Sequence, residues 1–455
     1  MRSKRARTVL LVVGGLACGL VMSEILLRAL VRPSERSYGT LLGVELPPFS
    51  VLPRTAPKAD VEKPDGDVRN DGGMVGSTVD AIAVRERVAP DDLRGLLRED
   101  SLLGYAPKEG AVSTNGWWQF NELGARARHE TSRGISSGKR RFLVFGESFA
   151  AGSRVPLEDS WPAQLEAVGG DLELVNLAVD GYSMGQSFLR YRGLKDRLEY
   201  DGVLLAFVPS VDPWRDVNTI RYLAEGWSSY TVMPRFVLEH GALTLIRSPY
   251  EVPTAIYAHN GELPGAELRA HLRRYDTFYS SAVHEEPSWI GRLLISKLVA
   301  SASYRHRIRQ LRNEMLSPDS EAMQIERRIF MTMDAEMRQE SKLFVVVVIP
   351  TAQDLRRLRK DPAFMEQWHE MLRALRADSV PYMDLTDELS QRPGTELDVG
   401  VDGTHYGPRT NARIAARIAR NLQVPDWRRS AASVSAGGWA PSSRMLGANV
   451  GASKW

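Results

Sequence analysis

Three short segments of this 455-residue chain hold residues whose types and spacing could do chemistry. In the first, Gly146-Glu147-Ser148-Phe149-Ala150-Ala151-Gly152 directly follows the apolar run RFLVF. A serine just past a buried strand can turn its hydroxyl into a crevice, and the backbone N–H groups after it can serve an oxyanion. The plainer reading is a strand-to-helix turn with a capping serine. It is not a complete G-x-S-x-G elbow, because position 150 is Ala. The second segment is Asp402-Gly403-Thr404-His405-Tyr406-Gly407-Pro408. A serine hydroxyl is a weak nucleophile that needs a base, and the base needs a carboxylate to orient it. An Asp and a His three apart, in one loop entering a helix, can supply both; an Asp-Gly turn with an incidental His is the plainer alternative. The third segment is Asn176-Leu177-Ala178-Val179-Asp180-Gly181-Tyr182. A glycine there lets backbone approach a ligand and can offer its N–H to an oxyanion.

These segments need a frame. Short apolar runs at Arg141–Phe145, Leu172–Asn176, Gly202–Phe207, Leu343–Ile349 and Pro381–Leu385 read as buried parallel strands. Helical patterns over Trp161–Val168, Met184–Leu198, Ser320–Ser341, Ala363–Ala377 and Thr410–Leu422 separate them. The alternation predicts a doubly wound five-stranded parallel sheet in a three-layer α/β/α fold. The stretch between Phe207 and Leu343 is too long for one crossover. It predicts an insertion over 218–318, with a helix around Trp289–Leu316, placed to form a lid or substrate wall.

Set in that frame, the order of the segments resembles the SGNH/GDSL hydrolase family in its membrane-anchored bacterial form. The resemblance includes Ser160-Trp161-Pro162-Ala163-Gln164-Leu165, Gln186, Val345–Pro350 and Val380–Leu385. Upstream it takes in Leu103-Gly104-Tyr105 and Asn121-Glu122-Leu123-Gly124. It covers about residues 100–422 apart from the insertion and implies a flavodoxin-like SGNH fold. It implies Ser148 as nucleophile and first oxyanion donor, Gly181 as second donor, His405 as base and Asp402 as its orienting partner. Two departures stand out. Glu147 occupies a position where the family usually has Asp, a change that reads as structural. After the third strand the family expects Gly-x-Asn-Asp, and this chain reads Val208-Pro209-Ser210-Val211-Asp212, without the Asn. Ser210 is the candidate replacement donor; losing such a donor costs about 10²–10³ in rate.

Outside this region the chain divides further. Residues 1–32 begin with Arg2, Lys4, Arg5 and Arg7, followed by the uncharged run Thr8–Ser23 and apolar residues to Val31. Sixteen uncharged residues fall short of the roughly 20 that span a bilayer. Extension past Glu24 and Arg28 supplies the length, with those two charges near the far interface. An uncleaved N-terminal transmembrane helix is the expectation, with the basic end in the cytoplasm and the rest of the chain extracytoplasmic. A cleaved signal, including a lipoprotein type ending at Cys18, is the rival. Residues 33–99, rich in Pro, Gly, Asp and Arg, read as a tether with one short helix at Pro90–Glu99. Residues 100–425 read as the hydrolase-like domain and 426–455 as a disordered tail.

Composition narrows the classes. Lys+Arg 59 against Asp+Glu 56 leaves a net charge of +3, which is no nucleic-acid signature. One cysteine excludes an intramolecular disulfide and a Cys-based zinc site, and the eight scattered histidines form no HxH or HExxH pair. No cofactor and no metal are expected. The expected partners are an acylated glycan, lipid or small molecule, and the membrane itself; the oligomeric state is left open. The sequence reads as an ester hydrolase. Its rivals are an O-acyltransferase with the same residues and a catalytically weak envelope binding or assembly factor. The clusters Arg269–Arg274 and Arg305–Arg312, and Trp117, Trp118, Trp161, Trp214 and Trp227, read mainly as solvated faces and packing.

Overall fold

The fold is taken from a computed structural model. It describes residues 14, 15, 19, 21–34, 36–51, 96–225, 232–250, 265–390, 397–400 and 403–422. The central sheet has five strands: β1 (Arg140–Phe145), β2 (Leu172–Asn176), β3 (Gly202–Phe207), β4 (Leu343–Val348) and β5 (Tyr382–Asp384). Their spatial order is β5-β4-β3-β1-β2, and every pairing is parallel. The chain leaves β1 for one edge and returns past it to β3. The strand order therefore reverses between β1 and β3, where an open α/β sheet forms its ligand crevice.

The strands are apolar throughout because both faces are covered. Leu143, Phe145, Leu205, Phe207, Val346 and Val348 join one core with helices α3 (Met184–Leu194), α7 (Glu321–Gln339) and α9 (Pro362–Ala377). The alternate residues Phe142, Val144, Leu204, Ala206, Val345 and Val347 join the other with α2 (Trp161–Val168) and α10 (Pro408–Leu422). This period of two, with a helix layer on each face, is the three-layer arrangement the sequence predicts. Shorter or surface helices include α1 (Ser148–Ala151), α4 (Asp212–Asp216) and α8 (Ala352–Lys360).

The insertion contains helices α5 (Ala266–Tyr275) and α6 (Leu294–Glu314) and a hairpin, Arg235–Glu239 with Ala242–Ile246. Phe236 and Phe278 enter the same core as α3 and α7. The buried Asp276 carboxylate pins the start of the excursion to the turn that follows α5. It accepts from Asn218 Nδ2, Thr219 N, Thr219 Oγ1 and Ile220 N on one side, and from Phe278 N and Tyr279 N on the other. The described part of the insertion is thus built into the helix layer. Arg312 lies over the Trp214 ring, 4.3 Å from its centroid, and Trp214 stacks on Phe278, so this tryptophan is used in packing. Trp227 lies outside the described residues.

Two expectations for the leading segment change. Ser37–Leu41 and Val44–Phe49 pair as an antiparallel hairpin, so the tether reading fails there. The hairpin is held by α6: Lys297 Nζ donates to Pro47 O and Ser301 Oγ to Glu45 O. Leu97–Asp100 is a strand paired with Gly104–Pro107 and not the end of a helix. Asp100 Oδ1 accepts from Leu102 N and Leu103 N, which turns the chain back at once. The rest of the expected tether, 52–95, and the expected tail lie outside the described residues. Among the described residues no helix is long and apolar enough to cross a membrane; most of the run 8–20 is not among them.

Candidate active site

Ser148 is the first residue of α1, at the carboxyl end of β1 and beside the strand-order reversal. Gly146 makes the turn possible. Its φ is +142°, and a Cβ there would meet Ala150 Cβ, Ala206 Cβ and Ala206 O at 3.0 Å. As the opening residue of a helix, Ser148 has a backbone N–H with no intrahelical acceptor. Trp161 Nε1 donates to Phe149 O, and Asn176 Nδ2 donates to Ala150 O. The Arg126 guanidinium collects the carbonyls of Ala151, Gly152, Trp117 and Val155 and lies over the Trp118 ring. One buried cation therefore fixes the C-terminal end of the serine's short helix.

His405 reaches this serine from 257 positions away in the sequence, with Nε2 2.7 Å from Ser148 Oγ. Its ring packs on Phe149, with centroids 4.9 Å apart. Its loop is closed on itself: Val399 bridges Tyr406, Gly400 N donates to His405 O, and Tyr406 OH donates to Pro350 O. Asp402 lies outside the described residues.

Glu147 does more than the sequence indicates. It is fully buried, and its Oε1 caps Phe149 N at 2.7 Å. Its Oε2 accepts from Ser148 Oγ at 2.5 Å and lies 3.6 Å from Arg215 Nη1. The serine oxygen thus has two close partners, a carboxylate and an imidazole, but only one hydrogen of its own. When the hydroxyl donates to Glu147, the contact with His405 is a hydrogen bond only if Nε2 carries a proton. When it donates to an unprotonated Nε2, Glu147 must give up that hydrogen. The arrangement joins a potential base to a competitor for the same proton.

Gly181 sits in a turn after β2 at φ +78°, a conformation that favours glycine. The turn is clamped from upstream: Tyr105 OH donates to Asp180 O, Tyr182 OH donates to Tyr105 O, and the two rings meet edge to face. Ser153 Oγ adds a bond to Asp180 Oδ2. This is the structural use of the Leu103-Gly104-Tyr105 segment.

The block after β3 departs from expectation. Ser210 Oγ donates to Asp354 Oδ2 at 2.8 Å, in the capping box that opens α8. Its one hydrogen is engaged by a buried carboxylate, and service as an oxyanion donor would require breaking that bond. Asp212 instead turns inward: its Oδ2 accepts from Val208 N at 2.7 Å, and its Oδ1 is buried with no partner among the described residues. Burial, and then the negative charge of Glu147, push the Asp212 carboxyl well above the ordinary range. Asp216 and Glu326 are also raised, chiefly by burial. Spacing alone gives no signal for this acidic layer, since its members come from α4, α7 and the turn before α1. Among the described residues no group of three His, Cys, Asp or Glu could hold a metal ion.

No family model matches the chain, and no curated protein matches it. Several solved structures do. One is a lipolytic G-D-S-L family protein from Veillonella parvula, 10% identical, with 62% of this chain and 97% of that one covered and a TM-score of 0.28. A lipase/acylhydrolase from Enterococcus faecalis is 15% identical over 62% of this chain and 95% of that one, with a TM-score of 0.30. An acetyl-xylooligosaccharide esterase from Geobacillus is 12% identical over 64% and 97%, with a TM-score of 0.29.

Proposed function

We propose that the chain is a serine ester hydrolase of SGNH type. The observation that carries this is the 2.7 Å approach of His405 Nε2 to Ser148 Oγ, at the end of β1. Ser148 Oγ attacks the carbonyl carbon of an ester while its proton passes to His405 Nε2. The N–H groups of Ser148 and Gly181 receive the oxyanion, and Asp402 orients the imidazole. The imidazolium then protonates the leaving alcohol, and water resolves the acyl-serine by the reverse sequence. Substrates are O-acyl groups on an extracytoplasmic glycan or lipid. The domain is held at the membrane by the N-terminal apolar segment, a reading supported by the basic start and uncharged run of residues 2–23.

A second reading, a catalytically weak envelope binding or assembly factor, is favoured by one observation: Ser210 Oγ is engaged with Asp354 and not free for the oxyanion. Labelling with a fluorophosphonate probe and peptide mapping separates the two. An adduct on Ser148 that is lost in His405→Ala supports the enzyme; a folded wild-type chain without adduct supports the binding factor. An acyltransferase would pass the acyl group to an added saccharide faster than to water.

A further inference from the structure

We propose that the loop before α6 and the first turns of that helix are a second membrane-contacting surface, with lipid as their partner. This rests on reading the N-terminal apolar run that starts at Thr8 as a membrane anchor. The loop and helix start expose Trp289, Ile290, Leu293, Ile295 and Val299, with 79% of Trp289 and 61% of Val299 accessible. An indole this open, beside four other exposed apolar side chains, calls for an occupant.

A second apolar surface lies beside them. Residues 21–29 are helical and expose Val21, Met22, Ile25 and Leu26 by more than half. That helix is joined to the start of α6. Glu24 accepts from Leu294 N through both carboxylate oxygens, at 2.9 and 3.0 Å. Arg28 Nε donates to Glu24 Oε1 and Arg28 Nη2 to Arg292 O. Leu27 and Val31 pack with Leu294 and Leu298 over Leu41 and Leu46 of the leading hairpin. The acid inside the N-terminal apolar run is therefore accounted for: it satisfies the opening N–H of a 21-residue helix, where the dipole favours a negative charge.

From residue 21 the chain runs backward directly into the uncharged stretch that ends at Thr8. Whatever surface takes up that stretch must lie at this end of the domain, beside Trp289. Tryptophan favours the water–hydrocarbon boundary, and exposed Arg28, Arg32 and Arg292 at the rim suit anionic headgroups. The two apolar surfaces then enter one interface, and the domain is seated on the bilayer in a fixed orientation.

The test uses the full chain with Cys18→Ser, incorporated into phosphatidylcholine–phosphatidylglycerol vesicles made with or without brominated acyl chains. A polarity-sensitive fluorophore is attached after Trp289→Cys, Val299→Cys or, as a control on exposed α9, Glu366→Cys. Circular dichroism confirms the fold of each. Flotation reports the anchor, and bromine quenching reports the surface. The expected result is flotation of all three, with emission at 289 and 299 falling about twofold or more as interfacial groups reach the acyl boundary, and no change at 366. Flotation without quenching at 289 and 299 overturns the proposal and leaves the anchor standing. Failure to float overturns both. A blue shift that grows with protein concentration and ignores bromine assigns the surface to a second copy and overturns the proposal.

Discussion

Two regions flank the crevice at the β1/β3 reversal, and they use polar side chains in opposite ways. On the β1 side, Ser148, Glu147 and His405 direct their polar atoms at one another's reacting positions, with Phe149 and Arg126 fixing the surroundings. On the β3 side, Ser210 binds Asp354 and Asp212 Oδ2 binds the Val208 N–H, so these two side chains serve local structure. The same type of side chain meets an imidazole in one loop and a helix-capping carboxylate in the other. The contrast teaches that a short sequence block is interpretable only through the partners the fold supplies.

The strongest way to break the comparison is on the β1 side. His405→Ala should lower turnover by about 10⁴-fold or more, and Asp402→Asn by about 10³–10⁴-fold with the fold intact. Steady-state kinetics on a chromogenic ester checks both, and full activity in folded His405→Ala removes the pair from the mechanism. A smaller effect sharpens the role of Glu147. Glu147→Asp keeps a helix cap but withdraws the carboxylate from Ser148 Oγ. Freeing the hydroxyl from a charge-assisted bond should speed fluorophosphonate labelling about tenfold. Slower labelling in a folded variant would mean that Glu147 presents the serine and does not compete for it.

On the β3 side the expected effects concern stability. The Asp212 carboxyl is raised by burial and by the charge of Glu147, so the fold retains its proton where the unfolded chain has lost it. Its contribution is fully present below the ordinary carboxylate pKa and is lost as pH rises through the raised folded-state value. Asp212→Asn, which resembles the protonated form, should flatten the dependence of melting temperature on pH across that window. An unchanged slope would sink the assignment. The smallest effect is expected for Ser210→Ala: kcat unchanged, and a loss of about 1 kcal/mol in a urea melt from the bond to Asp354. A tenfold fall in kcat would restore Ser210 to the oxyanion site.

The sheet was legible because its signal is local. Each strand is a run of apolar residues buried on both faces, and β1 begins at Arg140 where the sequence places it at Arg141. The pairing of Ser148 with His405 was legible from residue type and from the order of the segments around the strands. What escaped has non-local causes. The leading hairpin contains Pro47 and Pro48, which read as breakers; its strands are stabilised by Lys297 and Ser301 on α6. The Leu97–Asp100 strand exists because Asp100 turns the chain onto a partner. Glu147 reads as a structural position until the side chain is seen to reach the serine, and Ser210 reads as a free hydroxyl until Asp354 arrives from beyond β4.

The 257-residue separation of Ser148 and His405 also sets a schedule. A chain made from its N-terminus presents the serine early, in the turn that follows β1. The imidazole arrives only after β2 to β5 and the whole insertion have emerged, just ahead of α10, which must dock to close the layer over α2. Until then the serine has a carboxylate beside it and no base. The Ser148–His405 contact is therefore a late report that the domain has been completed.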